Sequence, residues 1–140
     1  MNIVIIGSGG REHALCYKLL KSSKINKIYC IPGNAGTDEI ATNIFADIND
    51  FDEIYKIVLK LNVELIVVGP EIPLVNGIVD YFEKKNIKIF GPNKKCSQLE
   101  GSKFFMKNIC KKYNIPSAKY FEISDINQIE KFLSGVSFPV

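Results

Sequence analysis

Long apolar runs are missing from this 140-residue chain: none approaches the ~20 residues a membrane-spanning helix requires, and Met1-Asn2 leads on without a basic leader or a cleavage site. A cytoplasmic protein without a membrane partner is expected. Arginine-rich stretches interleaved with aromatics are also missing. The formal net charge of +3 comes from lysines scattered on presumed helix faces, which gives no footprint for nucleic acid. His13 is the only histidine, and Cys16, Cys30, Cys96 and Cys110 form no C-x-x-C pair, so no metal site is expected and the thiols read as free and buried. No internal repeat or low-complexity segment occurs. What is present, 46% hydrophobic and 24% charged residues, matches ordinary globular usage and supports one domain with a real core and the beginning of another.

The richest stretch is Ile3 to His13. A β-branched run, Ile3 to Ile6, suits a parallel strand buried on both faces. Gly7, Gly9 and Gly10 follow, letting the backbone turn and approach an anion closely. The next helix aims free N–H groups at that point, and Arg11 adds a guanidinium able to grip phosphate oxygens in pairs. Glu12 sits favourably in the same first turn. The spacing fits a dinucleotide fingerprint only in part, because Glu12 stands where G-x-G-x-x-G requires its third glycine. The acid expected after the second strand is also absent, since Ile28 to Ile31 runs into Pro32-Gly33-Asn34.

Short apolar runs alternate with helical periodicity, which predicts an α/β fold with a Rossmann-like, mainly parallel sheet. A helix is expected from about Arg11 to Leu20, strands at Ile28 to Ile31 and Leu65 to Val68, and a short edge strand around Asn43 to Ala46. Asp50 reads as the N-cap of a helix with Glu53 in a capping box and Ile54, Ile57, Val58 and Leu61 on one face. Pro73 opens another helix showing Val75, Ile78, Val79 and Phe82, and Ile87 to Phe90 closes the series. Two helices then follow, split near Gly101. Lys119 to Ile123 is expected as a strand, Ser124 as a helix cap, and Val136 to Val140 as the start of a further strand. The expected domains are residues 1–100 and the beginning of a second, 101–140, in what reads as the N-terminal part of a longer protein.

In an open doubly wound sheet, ligands bind beyond the carboxyl ends of the strands where strand order reverses. In 3-2-1-4 order, the loops Gly7 to Glu12, Pro32 to Thr37 and Gly69 to Glu71 would meet there. Candidate ligand-binding residues are therefore Gly7, Gly9, Gly10, Arg11, Glu12, Asn34, Thr37, Gly69, Pro70 and Glu71. They combine phosphate donors and a cation with amide and hydroxyl groups and a carboxylate suited to ribose hydroxyls or an amine, a sugar-phosphate site. His13 reads as a packing or capping residue. Lys103 opens a probable helix, where a cation opposes the dipole and suggests an anionic partner.

Taken together, Gly7-Ser8-Gly9-Gly10-Arg11-Glu12-His13-Ala14, Pro32-Gly33-Asn34-Ala35-Gly36-Thr37, Val67-Val68-Gly69-Pro70-Glu71, Ile89-Phe90-Gly91-Pro92 and Leu99-Glu100-Gly101-Ser102-Lys103 resemble the phosphoribosylamine-glycine ligases of the ATP-grasp superfamily over the whole chain. The resemblance implies a pre-ATP-grasp domain to about residue 100, then the start of an ATP-grasp domain in which Lys103 holds ATP phosphate. It implies ATP-dependent joining of glycine to phosphoribosylamine in purine biosynthesis, with glycine activated as an acyl phosphate, ATP as co-substrate, and the Mg²⁺ or Mn²⁺ ligands beyond Val140. The resemblance also implies that no catalytic residue lies within this chain, which alone is then inactive. Two rival readings stay open: a nicotinamide-dependent oxidoreductase domain and a stand-alone nucleotide-binding module.

Overall fold

The β-branched run at the start of the chain forms β1 (Asn2–Gly7), the middle of a five-stranded parallel sheet, in a computed structural model that describes residues 1–135. Its neighbours are β2 (Lys27–Pro32) on one side and β4 (Leu65–Val68) on the other, with β3 (Thr42–Asn43) and β5 (Ile89–Phe90) at the edges, in the order β3-β2-β1-β4-β5. Ile3 pairs with Ile28 and Leu65, and Ile6 with Ile31 and Val68. Strand order therefore reverses between β2 and β4, on either side of β1. The α/β fold class is as the residue pattern predicts.

Side chains that alternate along each strand feed two cores, one on each face of the sheet. Val4, Ile6, Tyr29, Ile31, Ile66 and Val68 face α3 (Phe51–Lys60), α4 (Glu71–Asn76) and α5 (Ile78–Glu83), whose Ile54, Val58, Leu74, Val79 and Phe82 are buried with them. Ile3, Ile5, Ile28 and Cys30 face α1 (Gly10–Leu19) and its Cys16, with Leu15 and Leu19 packed alongside. Asp50 caps α3 by accepting the Glu53 amide at 2.8 Å. The turn α2 (Ala35–Asp38) lies between β2 and β3, and α6 (Lys94–Gly101) packs against α4.

In the first unit and just beyond it, several local expectations differ from the structure, among them the last strand, which is Ile89–Phe90 and not Ile87 to Phe90. The helix opened near Pro73 is broken into α4 and α5 at Gly77, whose φ of 98° lies in the left-handed region and whose amide donates to the Pro73 and Leu74 carbonyls at 3.0 Å. The edge strand is Thr42–Asn43, ending before Ala46, which is buried against the sheet instead. Lys119 to Ile123 forms no strand: no extended segment lies beside it among the described residues to take its ladder hydrogen bonds.

The chain divides into two compact units, Met1–Gly101 and a second from Ser102 onward. In the second, Ser102 caps α7 (Lys103–Lys112) by accepting the Phe105 amide at 3.2 Å. The expected helix cap at Ser124 moves to Asn127, ahead of α8 (Gln128–Leu133), whose Phe132 ring lies 4.3 Å from that of Phe121. None of the described residues of this unit is fully buried. The strand expected at residues 136–140 lies outside the described residues. Among those described, no helix is long and apolar enough to cross a membrane.

Candidate functional site

At the carboxyl end of β1 the chain turns sharply through Gly7, Ser8 and Gly9 into α1, and β4 ends beside it at Gly69-Pro70. Between them opens a cleft of about 420 Å³ lined by Gly7, Ser8, Gly9, Gly10, Arg11, Glu12, Ile48, Pro70 and Glu71. It lies where strand order reverses, as expected of a doubly wound sheet. Arg11 is the only arginine among 18 basic residues. Its Nη1 donates to the Gly69 carbonyl at 2.6 Å, which ties the start of α1 to the end of β4 and leaves the other guanidinium N–H groups without a partner among the described residues. The Gly10 and Arg11 amides, in the first turn of α1, have no acceptor there either. A Cβ added at Gly10 would meet nothing within 4 Å, so this residue borders open space.

Glu12 is the buried member, only 5% exposed. Its Oε2 accepts the Gly9 amide at 2.6 Å. A Cβ at Gly7 would fall 2.7 Å from its Cδ, and one at Gly9 would fall 2.9 Å from Oε2. A Cβ at Gly69 would meet the same carboxylate from the other side of the crevice. The anion these three glycines approach within the chain is therefore the Glu12 carboxylate.

Asn34 and Thr37 lie outside the cleft lining. Asn34 Nδ2 donates to the Ser8 carbonyl at 2.8 Å and more weakly to that of Gly9 at 3.3 Å, while its Oδ1 accepts the Thr37 amide at 3.0 Å. Thr37 is fully buried, and its Oγ1 bonds Asn43 Oδ1 at 2.8 Å and accepts the Asn34 amide at 2.7 Å. These residues hold the glycine turn from behind. His13 packs on the same support: a Cβ at Gly36 would fall 2.9 Å from its Cε1. Glu71, exposed at the first turn of α4, faces the cleft with Pro70. Ile48 carried no sequence signal, because its place at the cleft depends on the path of the loop between β3 and α3. Lys103 lies in the second unit, exposed in the first turn of α7.

Beneath the turn, Cys16 of α1 and Cys30 of β2 bring their Sγ atoms to 3.1 Å, both fully buried. Burial first, then the neighbouring Cys16 thiol, pushes Cys30 up to about 12, and burial likewise raises Cys16. Both are held as neutral thiols. Among the described residues no group of three or more His, Cys, Asp or Glu could hold a metal ion.

The family model for the phosphoribosylglycinamide synthetase N domain matches residues 1–100. Over 140 residues the chain is 41% identical to a phosphoribosylamine–glycine ligase of Caldanaerobacter subterraneus subsp. tengcongensis, covering all of this chain and 34% of that protein. The crystal structure of phosphoribosylamine–glycine ligase from Thermotoga maritima superposes with a TM-score of 0.68 at 29% identity, over 98% of this chain and 31% of the other. N5-carboxyaminoimidazole ribonucleotide synthetase from the same organism shares the fold, with a TM-score of 0.66 at 20% identity over 99% of this chain and 37% of that one. The chain spans about a third of the length of the curated relatives it matches.

Proposed function

The chain belongs to the phosphoribosylglycinamide synthetase N-domain family, and from that premise we propose that it is the phosphoribosyl-binding part of a cytoplasmic ligase joining glycine to 5-phosphoribosylamine at the expense of ATP. The observation that carries this reading is the convergence, on one cleft at the strand-order reversal, of the only arginine, two free helix-start amides and the open space over Gly10. In the proposed complex the 5′-phosphate lies over the Gly10 and Arg11 amides with the guanidinium against its oxygens, where helix dipole and side chain both favour negative charge. Glu71, across the cleft, accepts from the ribose hydroxyls or the amine. Asn34 and Thr37 act by fixing the turn that presents those donors.

ATP and its divalent cation are assigned to the whole protein. Lys103 is proposed to hold ATP phosphate, and the acidic ligands for Mg²⁺ or Mn²⁺ to come from segments beyond this chain. When bound, the metal with its cationic neighbours neutralises charge on the transferred phosphoryl group. The share of this chain is to hold and orient the amine that attacks the activated glycine carboxyl carbon.

The test is made on the full-length protein. Turnover should require glycine, phosphoribosylamine and ATP together, releasing one ADP per glycinamide ribonucleotide. Arg11→Ala should weaken ribose 5-phosphate binding by about 10- to 150-fold in calorimetry, the loss of one charge-assisted hydrogen bond of about 1.5–3 kcal/mol. An unchanged dissociation constant would remove the phosphate from this cleft.

A further inference from the structure

Glu12 occupies the position where a dinucleotide-binding turn carries its third glycine, and its side chain turns back into the crevice between β1 and β4. Gly7 and Gly69 are the first residues beyond the register pair Ile6 and Val68, so the carboxylate that lies against both is wedged between the two strand ends. It also accepts the Gly9 amide at 2.6 Å, so the first donors left for a ligand are one residue further along, at Gly10 and Arg11. In folds that bind dinucleotides the pyrophosphate sits in this crevice at the helix N-terminus, and a glycine in the place of Glu12 serves only to let helix and strand pack closely beneath it. Here both the space and the N-cap donor are taken by a side chain of the protein.

We propose that Glu12 sets the ligand class of the cleft: its carboxylate fills the place a second phosphoryl group would occupy, so the site accepts a sugar phosphomonoester and refuses a diphosphate. The inference rests on the reading of the cleft as a sugar-phosphate site and adds its specificity. Glu12 acts by exclusion and by shaping the turn, and does not itself grip the phosphate. Volume is one part of this device, since a Cβ at Gly69 already collides with the carboxylate; charge is the other, since a second phosphoryl group would face an anion.

The test compares ribose 5-phosphate with ribose 5-diphosphate by calorimetry on the full-length protein, its nucleotide site saturated with a non-hydrolysable ATP analogue and Mg²⁺. Wild type should prefer the monophosphate by at least about tenfold. Glu12→Ala vacates the crevice and should flatten that preference, while Glu12→Gln keeps the volume and should keep most of it. Should Glu12→Ala fail to fold, as judged by thermal melting, Glu12→Asp carries the test: one methylene shorter, it withdraws from Gly69 while keeping its charge and should narrow the preference. An Ala variant as selective as wild type, or in its place an Asp variant as selective as wild type, overturns the proposal. Ribose 5-phosphate binding that ignores Arg11→Ala removes the sugar-phosphate reading itself, whereas binding that depends on Arg11, with a preference over the diphosphate that Glu12→Ala leaves unchanged, removes only this inference.

Discussion

A Cβ at Gly10 would enter open space, while one at Gly7 would strike the Glu12 side chain at 2.7 Å, so glycines three residues apart serve different needs. Gly7, with φ of 127°, makes room for a side chain of the protein; Gly10, inside the first turn of α1, borders open space on the side where the phosphate is proposed to bind. Gly10→Ala should therefore raise stability by up to about 1 kcal/mol through helix propensity while weakening ribose 5-phosphate binding. Thermal melting and calorimetry on one preparation check this, and a loss of both together would put the role of Gly10 in the fold. Cys16 and Cys30 give a second expectation. A thiol ordinarily near 9.0 that the fold holds up to about 12 adds stability that is complete below pH 9 and is lost as pH rises toward 12, because only the unfolded chain ionises in that window. The fall in melting temperature between pH 9 and 11 should be shallower in Cys30→Ala than in wild type. At pH 8 iodoacetamide should modify exposed Cys96 and leave Cys16 and Cys30 untouched until denaturant is added.

Among the elements, the break between α4 and α5 hinges on Gly77, the only residue type that takes a φ of 98° without steric cost. Gly77→Ala should destabilise by about 1–2 kcal/mol, against about 1 kcal/mol for removing the α3 cap with Asp50→Ala, both read from urea melts. The helix periodicity of Val75, Ile78, Val79 and Phe82 was legible, and the last three are buried in the core, but Leu74 takes the inward place before the break while Val75 is half-buried against Gly101, because periodicity is blind to a single residue in the left-handed region. The same limit explains the second unit. Lys119 to Ile123 carries the composition of a strand, yet a strand exists only by pairing, and nothing beside it among the described residues offers an edge. The inner strands were readable because each is buried on both faces and so appears as an unbroken apolar run. At the cleft, the glycine turn, Arg11, Pro70 and Glu71 could be read from local chemistry. Ile48 could not, because a loop brings it there, and the seat of Glu12 required knowing that Gly69 stands opposite.

For the molecule as a whole, the unit Met1–Gly101 contains both cores, whereas the described part of the second unit contains no fully buried residue. Residues 1–140 should accordingly show a cooperative urea transition by circular dichroism and no ligation of glycine, since the metal ligands are assigned elsewhere in the full-length protein. Phosphate release that depended on both glycine and phosphoribosylamine would refute that division of labour. The same contrast in burial bears on how the isolated chain would fare with a protease. Trypsin needs a lysine on a segment that can open locally into its active site, and such opening costs little where few apolar contacts must be broken. Lys111, Lys112 and Lys119 are exposed in the thinly packed unit, whereas Lys18 and Lys60 are exposed on helices whose opposite faces are sealed against the sheet. Brief digestion should shave the chain from its carboxyl side and leave a resistant piece that retains the glycine turn, Arg11 and Glu71, a compact module on which the proposed binding can be assayed without any redesign of its boundaries.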